Sequence, residues 1–195
     1  ALGDTSMILH ESGILEGNME LLPIHHRFFD QDHTHYDHYN QSMLLGISKS
    51  VTVAVLQQAI TALVQQHDAL RLSYQQNTTG YHAEFQKQGP SLQIEKISPK
   101  EDTPKQITKI CEAYQKSLSI HTGDLAKFVY IQTPDSKTEN RLFMVVHHLA
   151  IDGVSWRIIM DELSLYIDTL SSGQQIVQSE KTTSYRQWQQ RLATY

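Results

Sequence analysis

Arg141-Leu142-Phe143-Met144-Val145-Val146-His147-His148-Leu149-Ala150-Ile151-Asp152-Gly153-Val154-Ser155-Trp156-Arg157 is the stretch on which the reading of this chain turns. Its first half is apolar on both faces, the pattern of a central strand buried between two layers. Its second half opens a series in which Trp156, Ile159, Met160, Leu163, Ile167 and Leu170 recur at helical spacing. Two histidines, a carboxylate and a glycine therefore fall at the seam between a strand and a helix. Strand ends are where layered α/β sheets present reactive groups, so chemistry is expected there.

Side chains alternate across a strand, which puts His148 on the face of Leu142, Met144 and Val146 and His147 on the face of Phe143 and Val145. Only one of the two can face a site, and His148, at the strand end, is the candidate. A neutral imidazole with an unperturbed pKa of about 6.5 is suited to accept a proton near neutral pH. Gly153 permits a tight turn and close backbone approach. Asp152 either touches His148 or turns back to brace the loop. The plainer reading makes both histidines satisfied core groups and Asp152 a helix cap. Ser155, in the first helical turn, reads as a capping residue rather than a nucleophile, and Trp156 as core rather than tunnel wall.

Outward from this seam, the pattern predicts a short helix from Pro23 to Phe29, a strand from Tyr39 to Leu45, and a helix carrying Leu56, Ile60, Leu63 and Val64. A hairpin is expected around Gln75 to Gly80, between Leu70 to Tyr74 and Tyr81 to Gln86, with a further strand from Leu92 to Ile97. Thr103, Pro104 and Gln106 have the spacing of a capping box before a helix through Leu118. Leu125 to Gln132 reads as a strand, and a last helix starts near Ser184. Strands mixed with helices indicate an α/β layered domain.

The chain has 195 residues, 39% of them hydrophobic, and a net charge of −5. The interspersed charges argue against nucleic acid or an anionic membrane surface as a partner. No apolar run approaches the roughly 20 residues needed to cross a bilayer, which makes the cytoplasm the default compartment. The single Cys111 cannot form an internal disulfide and falls on the apolar side of its helix. His25, His26, His33, His35 and His38 crowd one stretch, but no closed set of Cys and His ligands at zinc-site spacing appears, and no metal is expected. Residues 1–20 lack periodicity and read as a linker from an upstream domain.

The 147–153 segment resembles the His-His-x-x-x-Asp-Gly signature of the condensation-domain superfamily of nonribosomal peptide synthetases. Val154-Ser155-Trp156-Arg157 is similar to the epimerization branch of that family. Leu22-Pro23-Ile24-His25-His26-Arg27-Phe28-Phe29 resembles the family's opening motif, Asn40-Gln41-Ser42-Met43-Leu44-Leu45 its first strand, and His67-Asp68-Ala69-Leu70-Arg71 its second motif. Lys181-Thr182-Thr183-Ser184-Tyr185, with Trp188, is similar to a block found in epimerization domains.

The resemblance implies a chloramphenicol acetyltransferase-like lobe with a mixed β-sheet flanked by helices, residues 21–195 forming the N-terminal lobe of a two-lobed domain. It implies His148 in proton transfer, His147 and Gly153 as parts of the signature, and Asp152 pairing with Arg71 to hold the motif. The implied reaction inverts the Cα of an aminoacyl or peptidyl thioester carried on the 4'-phosphopantetheine arm of an upstream peptidyl carrier domain. No cofactor is bound by the lobe itself. The second lobe would supply a glutamate, which leaves the lobe alone catalytically incomplete, and a condensation domain would lie downstream. The alternatives are a peptide-bond-forming condensation lobe, with the same fold, or a noncatalytic module that docks carrier domains.

Overall fold

The computed structural model describes residues 11, 13–31, 35–78 and 80–195. In chain order the elements are β1 (Gly17–Met19), α1 (Pro23–Phe29), β2 (Asn40–Ser48), α2 (Val53–Gln66), β3 (Leu72–Asn77), β4 (Gly80–Phe85), β5 (Leu92–Lys96), α3 (Thr103–Gln115), β6 (Ala126–Gln132), β7 (Glu139–His147), α4 (Gly153–Ser171) and α5 (Tyr185–Leu192). The architecture is the mixed α/β lobe, with sheets flanked by helices, that the resemblance implies.

Four strands form the main sheet in the order β2-β7-β6-β5. β5 runs parallel to β6, with α3 as the crossover, and the other pairs are antiparallel. β7 lies between two neighbours and is buried on both faces, which is why its sequence shows no alternation of polar and apolar residues. Leu142, Met144 and Val146 share a cluster with Leu56 and Leu63 of α2 and Ile159 and Leu163 of α4. Phe143 and Val145 share the second cluster with Val129, Ile131 and the apolar side of α3, where Ile107, Ile110, Cys111 and Tyr114 pack. Burial pushes the Cys111 thiol up to about 11, so it stays protonated at neutral pH. A three-stranded sheet, β1-β4-β3, adds Leu72, Tyr74, Ala83 and Phe85 to the first cluster.

Side-chain caps open several of the helices. Thr52 caps α2 by accepting from the Val55 amide at 3.2 Å, and Ser184 caps α5. At α3 the cap lies one residue earlier than the capping-box spacing suggests. Asp102 accepts from the Lys105 amide at 2.9 Å, and Thr103 is already helical. Gln106 instead pairs twice with the Ser98 backbone, each bond at 3.0 Å, because a carboxylate is the better acceptor for orphan helix amides and leaves the glutamine free.

The strand expected from Leu70 begins at Leu72, because Asp68 to Arg71 form a 3-10 turn. The hairpin pairs Asn77 with Gly80, whose φ of 125° calls for glycine; Thr79, within that hairpin, lies outside the described residues. Most of the proposed 1–20 linker, residues 1–10 and 12, also lies outside them, as does His33. Among the described residues no helix is long and apolar enough to cross a membrane.

Candidate functional site

β7 ends at His147, so the two histidines are placed by different means. The His147 amide still joins the sheet edge, donating to the Leu125 carbonyl at 2.7 Å, and its ring is fully buried. Ring Nε2 meets the Tyr36 carbonyl at 2.7 Å and Nδ1 accepts from the Leu149 amide at 3.2 Å. A carbonyl can only accept and an amide can only donate, which makes His147 a neutral Nε2–H imidazole with both nitrogens occupied. Burial holds its pKa below the ordinary value. It ties the strand end to the 36–39 segment and has no free nitrogen for substrate.

His148 sits in the turn, half-buried, where the turn rather than the strand pleat sets its direction. Its backbone amide donates to the Tyr39 carbonyl at 2.8 Å, and its ring stacks on Tyr39 with centroids 5.0 Å apart. Nδ1 lies 2.6 Å from the Ile151 carbonyl, and Nε2 lies 3.3 Å from Nε2 of Gln41. The ring forms part of the wall of a cavity of about 570 Å³, together with Ile24, His25, Phe28, Tyr39, Ser155 and Tyr185. A second cavity, about 610 Å³, shares Ser155 and Tyr185 but is not lined by His148.

Asp152 is exposed, and it caps α4. Its Oδ1 accepts from both the amide and the hydroxyl of Ser155, each at 2.7 Å. Those two bonds hold its carboxyl below the usual carboxylate range, with a smaller contribution from His148. The pairing of Asp152 with Arg71 is therefore corrected: the helix amides take up the aspartate, and Arg71 finds its carboxylate locally. The buried Arg71 guanidinium donates to Asp68, one 3-10 turn earlier, and to the carbonyls of Leu15 at 3.0 Å and Gln86 at 2.5 Å.

Gly153 also departs from the expectation. Its φ is not positive, and a Cβ built on it meets nothing within 4 Å. It is the first residue of α4 in ordinary helical geometry, beside open space. Neither turn strain nor backbone approach within the lobe demands glycine there.

The structure brings in residues that the sequence named only as parts of strands or motifs. His25 is 2% exposed and its Nδ1 accepts from the Leu22 amide at 3.3 Å, capping α1 from within the helix. Burial, with His26 beside it, pushes its pKa down to about 4. Tyr185, in the block after α4, stands edge-on to His25 with centroids 6.2 Å apart, and burial followed by the nearby Asp152 carboxylate raises its hydroxyl pKa. Gln41 reaches His148 because β2 pairs with β7, Gln41 lying opposite Val146. Trp156 is core, 5% exposed, yet its indole N–H donates to Oε1 of Gln41 at 2.9 Å. Nothing in the local sequence signals these cross-element contacts. Among the described residues no group of His, Cys, Asp and Glu has the arrangement of a metal site.

The condensation-domain family model matches residues 16–195. A linear gramicidin synthase polypeptide of Brevibacillus parabrevis is 40% identical over 189 residues, which are 95% of this chain and 4% of that protein. The crystal structure of the epimerization domain from the third module of tyrocidine synthetase B superposes with a TM-score of 0.86 at 27% identity, over 94% of this chain and 42% of that one. The starter condensation domain of rhizomide synthetase superposes at 0.76 and 15% identity, over 91% of this chain and 43% of that one, a likeness of fold. The chain thus spans less than half the length of each of these relatives. With the signature at a strand end, a histidine facing a cavity and a family match over nearly the whole chain, it belongs to the condensation-domain superfamily of nonribosomal peptide synthetases.

Proposed function

We propose that this chain is the N-terminal lobe of an epimerization domain, in which residues 21–195 supply one wall of the active site and His148 moves the Cα proton. The single observation that carries the reading is the placement of His148. Of the two signature histidines it is the one that lines the 570 Å³ cavity, and the carbonyl of Ile151 takes its Nδ1, which leaves Nε2 as the basic nitrogen.

The chemistry asked of it is modest in kind. A thioester acidifies the Cα–H of an aminoacyl or peptidyl group, Nε2 of His148 accepts that proton, and the electron pair moves onto the thioester oxygen. Return of a proton to the opposite face inverts the centre, and the donor must then stand across the substrate. The resemblance implies a glutamate of a second lobe for that role and the phosphopantetheine arm of an upstream carrier domain as the tether. The likeness at TM-score 0.86 and 27% identity to an epimerization domain supports this branch over condensation. So does the Val154-Ser155-Trp156-Arg157 run. Asp152 and Gly153 act as framework and as space in this reading, and Arg71 supports the fold at a distance.

Deuterium exchange at Cα with chiral analysis tests it, using carrier-loaded substrates. The samples are the intact two-lobed protein that contains this chain, its His148→Ala variant, and the 195-residue chain alone. Exchange and inversion by the intact protein, lost in His148→Ala, are expected, as is inactivity of the lobe. Amide formation between two loaded carriers without exchange would assign a condensation lobe instead. Binding of carriers with neither reaction would leave a docking module.

A further inference from the structure

We propose that Gln41 is a positioning residue that holds His148 as the neutral Nδ1–H tautomer with Nε2 as its basic nitrogen, and that Trp156 fixes Gln41 in the orientation that does so. This deepens the proposed function and rests on it, since His148 is the histidine that the proposed reaction uses. The arrangement of donors and acceptors is nonetheless independent of which reaction the domain performs.

Trp156, Gln41, His148 and Ile151 form one chain of hydrogen bonds, each end of which is chemically unambiguous. At one end is the indole N–H of Trp156, a donor with no acceptor capacity, 2.9 Å from the side-chain amide of Gln41. The amide atom facing it must be the oxygen. The Gln41 NH₂ group is then the one 3.3 Å from Nε2 of His148, and it can only donate. At the other end the Ile151 carbonyl, 2.6 Å from Nδ1, can only accept. Both ends demand the same imidazole, protonated on Nδ1 and bare on Nε2.

The same chain disfavours a hydrogen on Nε2 and so the other tautomer. A proton placed on Nε2 would face the Gln41 N–H, donor against donor. Turning the amide over would relieve this clash but would set the NH₂ group against the Trp156 N–H. Gln41 is half-buried and Trp156 is buried, so water does not readily take up an orphaned donor. The relay thus sets which nitrogen of the neutral base carries the lone pair. Substrate must displace the Gln41 N–H from Nε2 to reach the lone pair.

Other titratable or charged groups also face this ring. They are Asp152 at the start of α4, His147 beside it, Tyr39 stacked on it, and His25, Arg27 and Tyr185 on the cavity wall. Substitution at Gln41 leaves all of them in place.

The test is a ¹⁵N–¹H correlation spectrum of the imidazoles in the 195-residue chain, titrated with pH, for the wild type, Gln41→Glu and Trp156→Phe. In the wild type, neutral His148 is expected to show a bare Nε2 and a protonated Nδ1. In Gln41→Glu one carboxylate oxygen still accepts from Trp156 while the other favours a protonated Nε2, and the titration midpoint of His148 is expected to rise by about one pH unit. In Trp156→Phe the amide is free to turn, and signal from the Nε2–H tautomer is expected to appear. A neutral Nε2–H tautomer in the wild type overturns the proposal without any variant having to fold, as does an unmoved midpoint in a folded Gln41→Glu. If the spectra come out as expected while Cα exchange is absent from the intact domain, the tautomer assignment stands and the epimerization reading falls.

Discussion

Nζ of Lys181 lies 2.8 Å and 2.9 Å from the two carboxylate oxygens of Asp68, and Asp68 also receives the guanidinium of Arg71. Two motif blocks more than a hundred residues apart in the chain thus share one carboxylate. Lys181 donates as well to the Gly13 carbonyl at 2.8 Å, and Arg71 to that of Leu15, so the segment before β1 is gathered into the same knot.

Arg71→Ala is accordingly expected to destabilise the chain by about 3 kcal/mol, through the loss of a buried side chain and of the donors to the Leu15 and Gln86 carbonyls, while Lys181 still neutralises Asp68. Asp152→Ala, which removes an exposed helix cap, is expected to cost about 1 kcal/mol. Urea denaturation of the two variants measures the difference. Equal losses would overturn the assignment of Asp152 to an exposed cap, and a double variant whose loss falls short of the sum would show that the two residues are coupled.

The two signature histidines are expected to separate stability from activity. His147→Ala removes a fully buried ring and leaves the Tyr36 carbonyl and the Leu149 amide without it, a loss of about 3 kcal/mol. His148→Ala, at a half-buried turn position, is expected to leave the thermal midpoint within a few degrees of wild type while abolishing Cα exchange in the intact domain. A severely destabilised His148→Ala would count against a dedicated proton-transfer role.

Two glycines in the same lobe are expected to respond in opposite ways to alanine. At Gly89 a Cβ would run into Cγ1 of Val64 and stand 2.7 Å from Cγ of Arg71, so Gly89→Ala must push both side chains and is expected to cost about 1–3 kcal/mol. At Gly153 a Cβ meets open space on a helical backbone, and Gly153→Ala is expected to be neutral or to stabilise by up to about 1 kcal/mol. If the open space receives substrate, Gly153→Ala lowers turnover in the intact domain without lowering the melting temperature. Calorimetry and Cα exchange on one preparation separate these effects.

Acid is expected to weaken the lobe through His25. Its folded pKa of about 4 lies below the unfolded value of about 6.5, so the unfolded chain binds the proton first. The stability in question is fully present above pH 6.5, falls as pH drops below that value, and is lost once the folded pKa is passed. Its full size is roughly 3 kcal/mol. His147, depressed in the same direction by burial, adds to the slope. Stability of His25→Gln measured from pH 7.5 to 4.5 should fall less steeply than that of wild type, and parallel curves would dismiss the role of His25.

Local pattern carried most of the secondary structure. The helical recurrence from Trp156 to Leu170 marks α4, the unalternating run from Leu142 to Val146 marks a central strand, and Pro23 marks the start of α1. These signals come from neighbours three, four or two residues apart, and burial selects them one element at a time. Competition between acceptors misled the local reading at α3, where Asp102 displaced the expected cap. At Asp152 the plainer local reading, a helix cap, matches the structure, and it is the pairing with Arg71 implied by the resemblance that fails, because the carboxylate went to its own helix.

By itself, then, the sequence determined the α/β layering, the family signature and the placing of both histidines at the seam between a strand and a helix. Only the tertiary structure decided which carboxylate neutralises Arg71, which nitrogen of His148 is bare, and that Gln41 and Trp156 set it. These relationships join residues separated by as few as three and by more than a hundred positions. Sheet register and helix docking bring the distant ones within hydrogen-bond distance, and neither leaves a periodic trace in the chain.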